Sequence, residues 1–197
     1  VLLIAPGQQA SFQRYYGTQD SRFTLLPPGV SPDRRPGPEA GCERARLRRE
    51  HHVADDELLV LFVGSGFITK GLDRALRAVA GLPDTLRARA RFFVIGQDNP
   101  ERFRSLARDL GIGDRVTFFA GRDDVGSFFL GADLLLHPAV MESGGIVLLE
   151  AAIAGLPVLA TSVCGFAPYL RDARAGVLID EPFRQAALNE ALAAALA

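Results

Sequence analysis

From Leu58 onward, short apolar runs alternate with stretches whose apolar residues recur three and four positions apart. The short runs, at residues 58–63, 91–95, 116–119, 134–137, 157–160 and 176–179, read as strands. Most are apolar almost throughout, which is the pattern of a parallel strand covered by helices on both faces. Between them, Leu72, Ala75, Leu76 and Val79 share one helical face, as do Phe103, Leu106, Ala107 and Leu110, and Gly111 stops the second helix. Asp123 is placed to cap a helix running to Gly131, and Gly144-Gly145 precedes a helix over 146–154. The alternation predicts an α/β fold: a six-stranded, doubly wound parallel sheet of Rossmann-like type.

The first thirty residues do not fit this repeat. A strand-like Val1 to Ile4, a helix from Gln8 to Tyr16 and Phe23-Thr24-Leu25-Leu26 end at Pro27-Pro28-Gly29. Residues 1–29 therefore read as the remnant of a preceding domain and a hinge, and residues 30–197 as a nucleotide-binding domain. The opening on a bare apolar strand, without an initiator methionine, predicts a fragment of a longer protein. Residues 30–57 are rich in Pro, Arg and Glu; Arg44, Arg46, Arg48 and Arg49, flanked by Glu43 and Glu50, read as a solvated helix and linker rather than a polyanion site. The most apolar stretch, 145–163, is interrupted by Glu150, Gly155 and Pro157, so it reads as a buried helix and a strand, not a membrane span.

Composition narrows the function. A chain of 197 residues, 48% hydrophobic and 23% charged, suits one globular domain with appendages. A net charge of -1 gives no global reason to bind nucleic acid or an anionic membrane, so any anion must be held locally. Cys42 and Cys164 are far apart and match neither a zinc pattern nor a disulfide framework, which fits a reducing cytoplasm.

Two segments carry candidate chemistry. The first strand runs into Gly64-Ser65-Gly66-Phe67-Ile68-Thr69-Lys70-Gly71, a glycine-rich turn with a lysine before a helix. Glycines let a backbone approach phosphate closely, and a helix start offers free N–H groups. The turn misses the G-x-G-x-x-G fingerprint at Thr69 and the P-loop pattern at Thr69 and Gly71, so a tight turn with an exposed lysine remains the alternative.

In His137-Pro138-Ala139-Val140-Met141-Glu142-Ser143-Gly144-Gly145-Ile146-Val147-Leu148-Leu149-Glu150, Glu142 leaves the end of a parallel strand, where open α/β sheets bind ligands. Gly144 and Gly145 open the start of the next helix, whose dipole favours an anion. Glu150 sits among apolar residues, where an ionised carboxylate needs a partner such as a pair of ligand hydroxyls. The bland alternatives are a solvated helix stripe for Glu150 and an ordinary loop residue for Glu142. His137 reads as a satisfied strand-end histidine rather than a catalyst, and His51-His52, in the charged linker, as solvated. No D-x-D triplet occurs, so no metal is expected, and diphosphate charge would fall to Lys70 and backbone dipoles.

The segment E-S-G-G-I-V-L-L-E-A, with its E-x7-E spacing, and A-G-L-P-V-L-A-T resemble the donor half of retaining, two-domain GT-B glycosyltransferases of family 4. The runs L-P-P-G-V, K-G-L-D-R, F-F-V-I-G-Q-D, F-F-A-G-R-D-D-V, A-D-L-L-L-H-P-A and C-G-F-A-P-Y-L resemble the lipopolysaccharide core glucosyltransferases within it, which implies a Gram-negative bacterial source. The resemblance implies the C-terminal, donor-binding half of a GT-B enzyme that carries glucose from UDP-glucose to a heptose of the lipid-linked inner core, with retention and without metal. It assigns the ribose hydroxyls to Glu150, the glucose hydroxyls to Glu142 and the diphosphate to Lys70. The amides near Gly144, Gly145 and Ile146 assist; Arg122 lies beside the base and Arg34 near the phosphates. The family's second phosphate-binding cation is replaced by Ser65 or Thr69. The acceptor, and any peripheral contact with the inner membrane, belong to a domain outside this chain. A non-catalytic nucleotide- or dinucleotide-binding module on the same fold is the competing reading.

Overall fold

The computed structural model describes the backbone of residues 1–197 and every side chain except that of Asp33. A small parallel sheet pairs β1 (Leu2–Leu3) with β2 (Thr24–Leu25) on either side of α1 (Gln8–Tyr16). After α2 (Ala40–Glu50) come β3 (Leu58–Val63), β4 (Ala90–Ile95), β5 (Val116–Phe119), β6 (Leu134–His137), β7 (Val158–Thr161) and β8 (Gly176–Ile179). All six are parallel, in the order β5-β4-β3-β6-β7-β8. The connecting helices are α3 (Leu72–Ala80), α4 (Asp84–Arg87), α5 (Glu101–Asp109), α6 (Val125–Gly131), α7 (Ile146–Ile153) and α8 (Ala167–Ala173), and α9 (Gln185–Leu196) ends the chain.

Two apolar layers explain why the strands are apolar on both sides. Val60, Phe62, Phe92 and Val94 face Leu72, Leu76 and Val79 of α3, with Phe103 of α5 and Leu188 and Leu192 of α9. The alternate residues Leu59, Leu61, Phe93 and Ile95 face Phe128 and Phe129 of α6, Leu148 of α7 and Leu170 of α8. The chain runs outward from β3 to β5 and then returns to place β6 on the other side of β3. That reversal leaves a crevice beyond the carboxyl ends of β3 and β6, the place where such sheets receive ligands.

The fifth predicted strand begins one residue later than expected, at Val158, because Pro157 has no N–H to give the ladder. Asp124, not Asp123, stands at the start of α6, and it makes no side-chain cap: both carboxylate oxygens instead accept 2.7 Å bonds from Arg122. Among the described residues no helix is long and apolar enough to cross a membrane.

The solvated reading of the arginine-rich helix holds for Arg46 and Arg49, which are exposed, and fails for Arg44 and Arg48. Arg48 is buried; its guanidinium donates to the carbonyls of Ala54 (2.7 Å) and Glu57 (2.6 Å) and to Asp133 at 3.2 Å. Arg44 donates to the carbonyls of Gly131 (3.0 Å) and Ala132 (2.7 Å) and to Asp133 at 2.6 Å. These are the carbonyls at the end of α6, where the helix dipole favours a cation. A side chain at Gly131 would overlap Leu47, so the close approach of α2 and α6 depends on that glycine.

His52 is exposed as expected, but His51 is half-buried. Its ring lies 5.6, 5.1 and 5.2 Å from those of Phe93, Phe119 and Phe128. Burial first, and then the nearby Arg122, hold its pKa below the ordinary histidine value.

Candidate functional site

Two loops meet at the crevice. After β3, the chain turns through Gly64, Gly66 and Gly71, at φ of 145°, 78° and 73°. Only glycine holds such angles without strain. At Gly71 space is short as well, since a side chain would overlap the Pro138 carbonyl oxygen. The Thr69 carbonyl accepts the N–H groups of Val140 (2.8 Å) and Met141 (3.2 Å), so the lysine turn and the loop after β6 are tied together.

The second loop is held from behind by the last residue of β7 and the segment after it. The Thr161 hydroxyl donates to the Ala139 carbonyl at 2.7 Å, Gly165 N–H to the Glu142 carbonyl at 3.1 Å, and Phe166 N–H to that of Gly144 at 2.9 Å. A side chain at Gly165 would overlap the Ser143 carbonyl oxygen. Sequence reasoning missed this strap; its signal was the glycine between Cys164 and Phe166. Cys164 itself is buried, and desolvation pushes its thiol up to about 12, so it packs as a small apolar side chain.

The two loops form much of the wall of an open cavity of about 730 Å³, of a size suited to a small ligand. Seven of the candidate residues, Arg34, Lys70, Glu142, Gly144, Gly145, Ile146 and Glu150, line it. Ser65 and Arg122 do not: the Ser65 hydroxyl oxygen accepts the Gln97 N–H at 3.1 Å, and Arg122 is turned onto Asp124, with its guanidinium 5.0 Å from the Phe128 ring centre. Thr69 donates to the Gly66 carbonyl at 2.9 Å. Pro27, Pro28 and Gly29, read from sequence as hinge, also line the cavity.

Inside the cavity, opposite charges are paired. Lys70 Nζ contacts Glu142 Oε2, and Arg34 Nε donates to Glu150 Oε1 at 3.1 Å. The partner that Glu150 requires is therefore supplied within the chain. Gly145, at φ 94°, stands at the start of α7, which carries no side-chain cap there, so the first turn of that helix opens onto the cavity. His137, expected to be a satisfied histidine, is fully buried with neither ring nitrogen hydrogen-bonded among the described residues, and its Nε2 lies 3.6 Å from Glu142 Oε2.

The Glu142 carboxyl is held well below its usual 4.5, at about 2. The imidazole of His137 is the largest cause, followed by Lys70 and the Gly144 N–H, while desolvation opposes them. At 3.6 Å the imidazole is beyond hydrogen-bond length, so its dipole acts across a gap and the contact with Lys70 is the firmer hold. Because the folded value is depressed, the stabilisation is complete above pH 4.5 and is lost as the pH falls toward 2. The shift corresponds to at most about 3 kcal/mol. Urea unfolding of the wild type and Glu142→Gln between pH 6 and pH 2 should therefore give stabilities that converge at the acid end. A constant difference across that range would contradict the assignment.

The family model for glycosyl transferases group 1 matches residues 43–197. The chain is 47% identical over 196 residues to the lipopolysaccharide glucosyltransferase WaaG of Escherichia coli K12, covering 100% of this chain and 52% of that protein. It is 36% identical over 185 residues to a D-inositol 3-phosphate glycosyltransferase of Acidothermus cellulolyticus, covering 87% of this chain and 40% of the relative. The crystal structure of WaaG superposes with a TM-score of 0.93 at 47% identity, over 99% of this chain and 53% of that one. Anabaena HepE in complex with UDP and glucose superposes over 100% of this chain and 52% of that one, with a TM-score of 0.83; at 20% identity this shows a shared fold. The chain thus spans about half the length, or less, of the curated relatives it matches. By the family match and by the arrangement of its sheet, this chain belongs to the group 1 glycosyl transferases and has the fold of the C-terminal, Rossmann-like half of a GT-B enzyme.

Proposed function

We propose that the chain is the UDP-glucose-binding half of a retaining glucosyltransferase acting on a heptose of the lipopolysaccharide inner core. One observation carries this reading: Lys70, Glu142, the open start of α7 and Glu150 converge on one cavity at the switch point of the sheet. The 47% identity to a lipopolysaccharide glucosyltransferase supports the donor and acceptor classes. Together with the family match, it favours a transferase over a non-catalytic dinucleotide module.

In this proposal Lys70 turns from Glu142 to the donor diphosphate, joined by the amides at Gly144, Gly145 and Ile146. Cations and oriented amides stabilise the charge that grows on the departing UDP. No metal takes part. Glu142 receives the glucose hydroxyls, and Glu150 the vicinal hydroxyls of ribose, as carboxylates pair well with such donors. Arg122 serves the base after leaving Asp124, and Arg34, on Glu150, serves near the phosphates. Both carboxylates lining the cavity are thereby engaged in binding, which favours attack by the acceptor on the same face as the leaving group over a double displacement. Residues 1–29 belong to the preceding domain and hinge in this reading. The acceptor site lies on that domain, and the enzyme works in the cytoplasm, at the inner-membrane surface.

Glu150→Ala tests the donor assignment. Loss of a charged acceptor of ribose hydrogen bonds should weaken UDP binding by about 1.5–3 kcal/mol, read by calorimetry. Folding should survive, since Arg34 is already 29% exposed and water can take the place of its partner. Equal UDP affinity in wild type and variant would sink the ribose role.

A further inference from the structure

We propose that His137 is a positioning residue that takes hold of Glu142 when the donor diphosphate draws Lys70 away. The inference rests on the donor-site reading above and deepens it. Lys70 and Glu142 satisfy each other in the structure, yet that reading sends them to different parts of the donor. The ammonium goes to the diphosphate and the carboxylate to the sugar hydroxyls. The Glu142 side chain is 11% exposed, so little water can replace the cation once glucose closes the cavity. An ionised carboxylate without a close donor is costly there.

His137 stands where the replacement is needed. Its Nε2 is 3.6 Å from Oε2, the same oxygen that Lys70 contacts. Both ring nitrogens are buried and, among the described residues, unpartnered, and such atoms are rare enough in folded proteins to call for an explanation. The ring stacks on Phe62, with centroids 6.1 Å apart and planes at 25°, which sets its orientation without offering a hydrogen bond. Its backbone is fixed as the last residue of β6, in register with Ala160 of β7. A small rotation of Glu142 shortens the gap to a hydrogen bond of about 2.9 Å. The imidazole, through its Nε2–H, then donates to Oε2 while the Gly144 N–H, 3.3 Å away, keeps Oε1. The carboxylate stays ionised and oriented, and its remaining lone pairs face the sugar. A second lysine at this position would instead compete with the sugar hydroxyls for the charge.

The test combines two substitutions with one spectroscopic measurement on the wild type. His137→Phe keeps the stack on Phe62 and removes the donor; His137→Gln places an amide N–H near the Nε2 position. Calorimetric titrations with UDP and with UDP-glucose are run on all three proteins, after thermal unfolding has checked that the variants fold. We expect His137→Phe to bind UDP-glucose at least about tenfold more weakly than wild type, the size of a lost hydrogen bond to a charge. UDP should lose no more than about threefold, because without the sugar water reaches Glu142 and replaces part of the bond. His137→Gln should recover most of the UDP-glucose affinity. In the wild type labelled with 15N-histidine, saturating UDP-glucose should move the His137 Nε2 signal to that of a hydrogen-bonded N–H, a readout that needs no variant to fold. Unchanged UDP-glucose affinity in His137→Phe, an equal loss for both ligands, no recovery with glutamine, or a ring signal that UDP-glucose leaves in place would each overturn the proposal. A wild type that binds neither ligand would instead refute the donor site itself.

Discussion

Asp133→Ala will lower the unfolding free energy by about 3 kcal/mol, a large fraction of what holds a domain of this kind together. Asp133 precedes β6 at the end of the sheet opposite the cavity. Its carboxylate accepts from Arg44 at 2.6 Å, from Arg48 at 3.2 Å and from the Leu59 N–H at 2.7 Å. Removing it leaves Arg48, whose side chain is 6% exposed, with a buried charge and no counterion, and it frees an N–H at the start of the central strand. The carbonyls of Gly131, Ala54 and Glu57 still accept from Arg48, which limits the loss. Asp133→Asn, which keeps an acceptor for Leu59 but not the charge, should lose roughly half as much. Urea denaturation with an unchanged m-value is the measurement, and a shift below about 0.5 kcal/mol would show that the arginine carbonyl contacts suffice alone.

That cluster also shows where sequence stops being legible. Strands covered on both faces announce themselves as continuous apolar runs, so β3 to β8 could be placed to within about a residue at each end without knowing their neighbours. Arg44 and Arg48, by contrast, lie four apart on a polar helix and look like any solvated face. Their partners at Gly131 to Asp133 lie more than eighty positions away in sequence. Burial that depends on distant partners leaves no local periodicity, and the same holds for His51, whose three phenylalanine neighbours come from β4, β5 and α6.

The candidate site was legible in the parts set by local spacing. Glu142 at the exit of β6, two glycines at the start of α7 and Glu150 one helical turn later are fixed by a single stretch of chain. Arg34 could be named only through resemblance, and its contact to Glu150, spanning 116 positions, only from the structure. His137 was misjudged for a related reason: a histidine ending an apolar strand is buried whether or not its nitrogens find partners, and only the tertiary structure shows that they do not.

The other large expected effect is kinetic: this chain alone should give no measurable glucosyl transfer, even at donor concentrations that fill its cavity. Transfer needs an acceptor hydroxyl within bonding reach of the anomeric carbon, and such alignment can supply roughly 7–11 kcal/mol of barrier reduction. The residues that converge here are assigned to the donor, and the chain covers 52% of the related lipopolysaccharide glucosyltransferase. The proposed acceptor site lies on the part left over. Without a facing domain the cavity stays open to water, which weakens every charge interaction that Lys70 and the α7 amides offer the departing diphosphate. Slow hydrolysis of UDP-glucose is the most such an arrangement supports. Radiolabelled UDP-glucose and truncated core lipopolysaccharide, offered to this chain and to a longer protein carrying the acceptor half, separate the outcomes. Activity in the longer protein alone is expected, whereas transfer by the 197 residues at a comparable rate would mean that this half holds an acceptor site of its own.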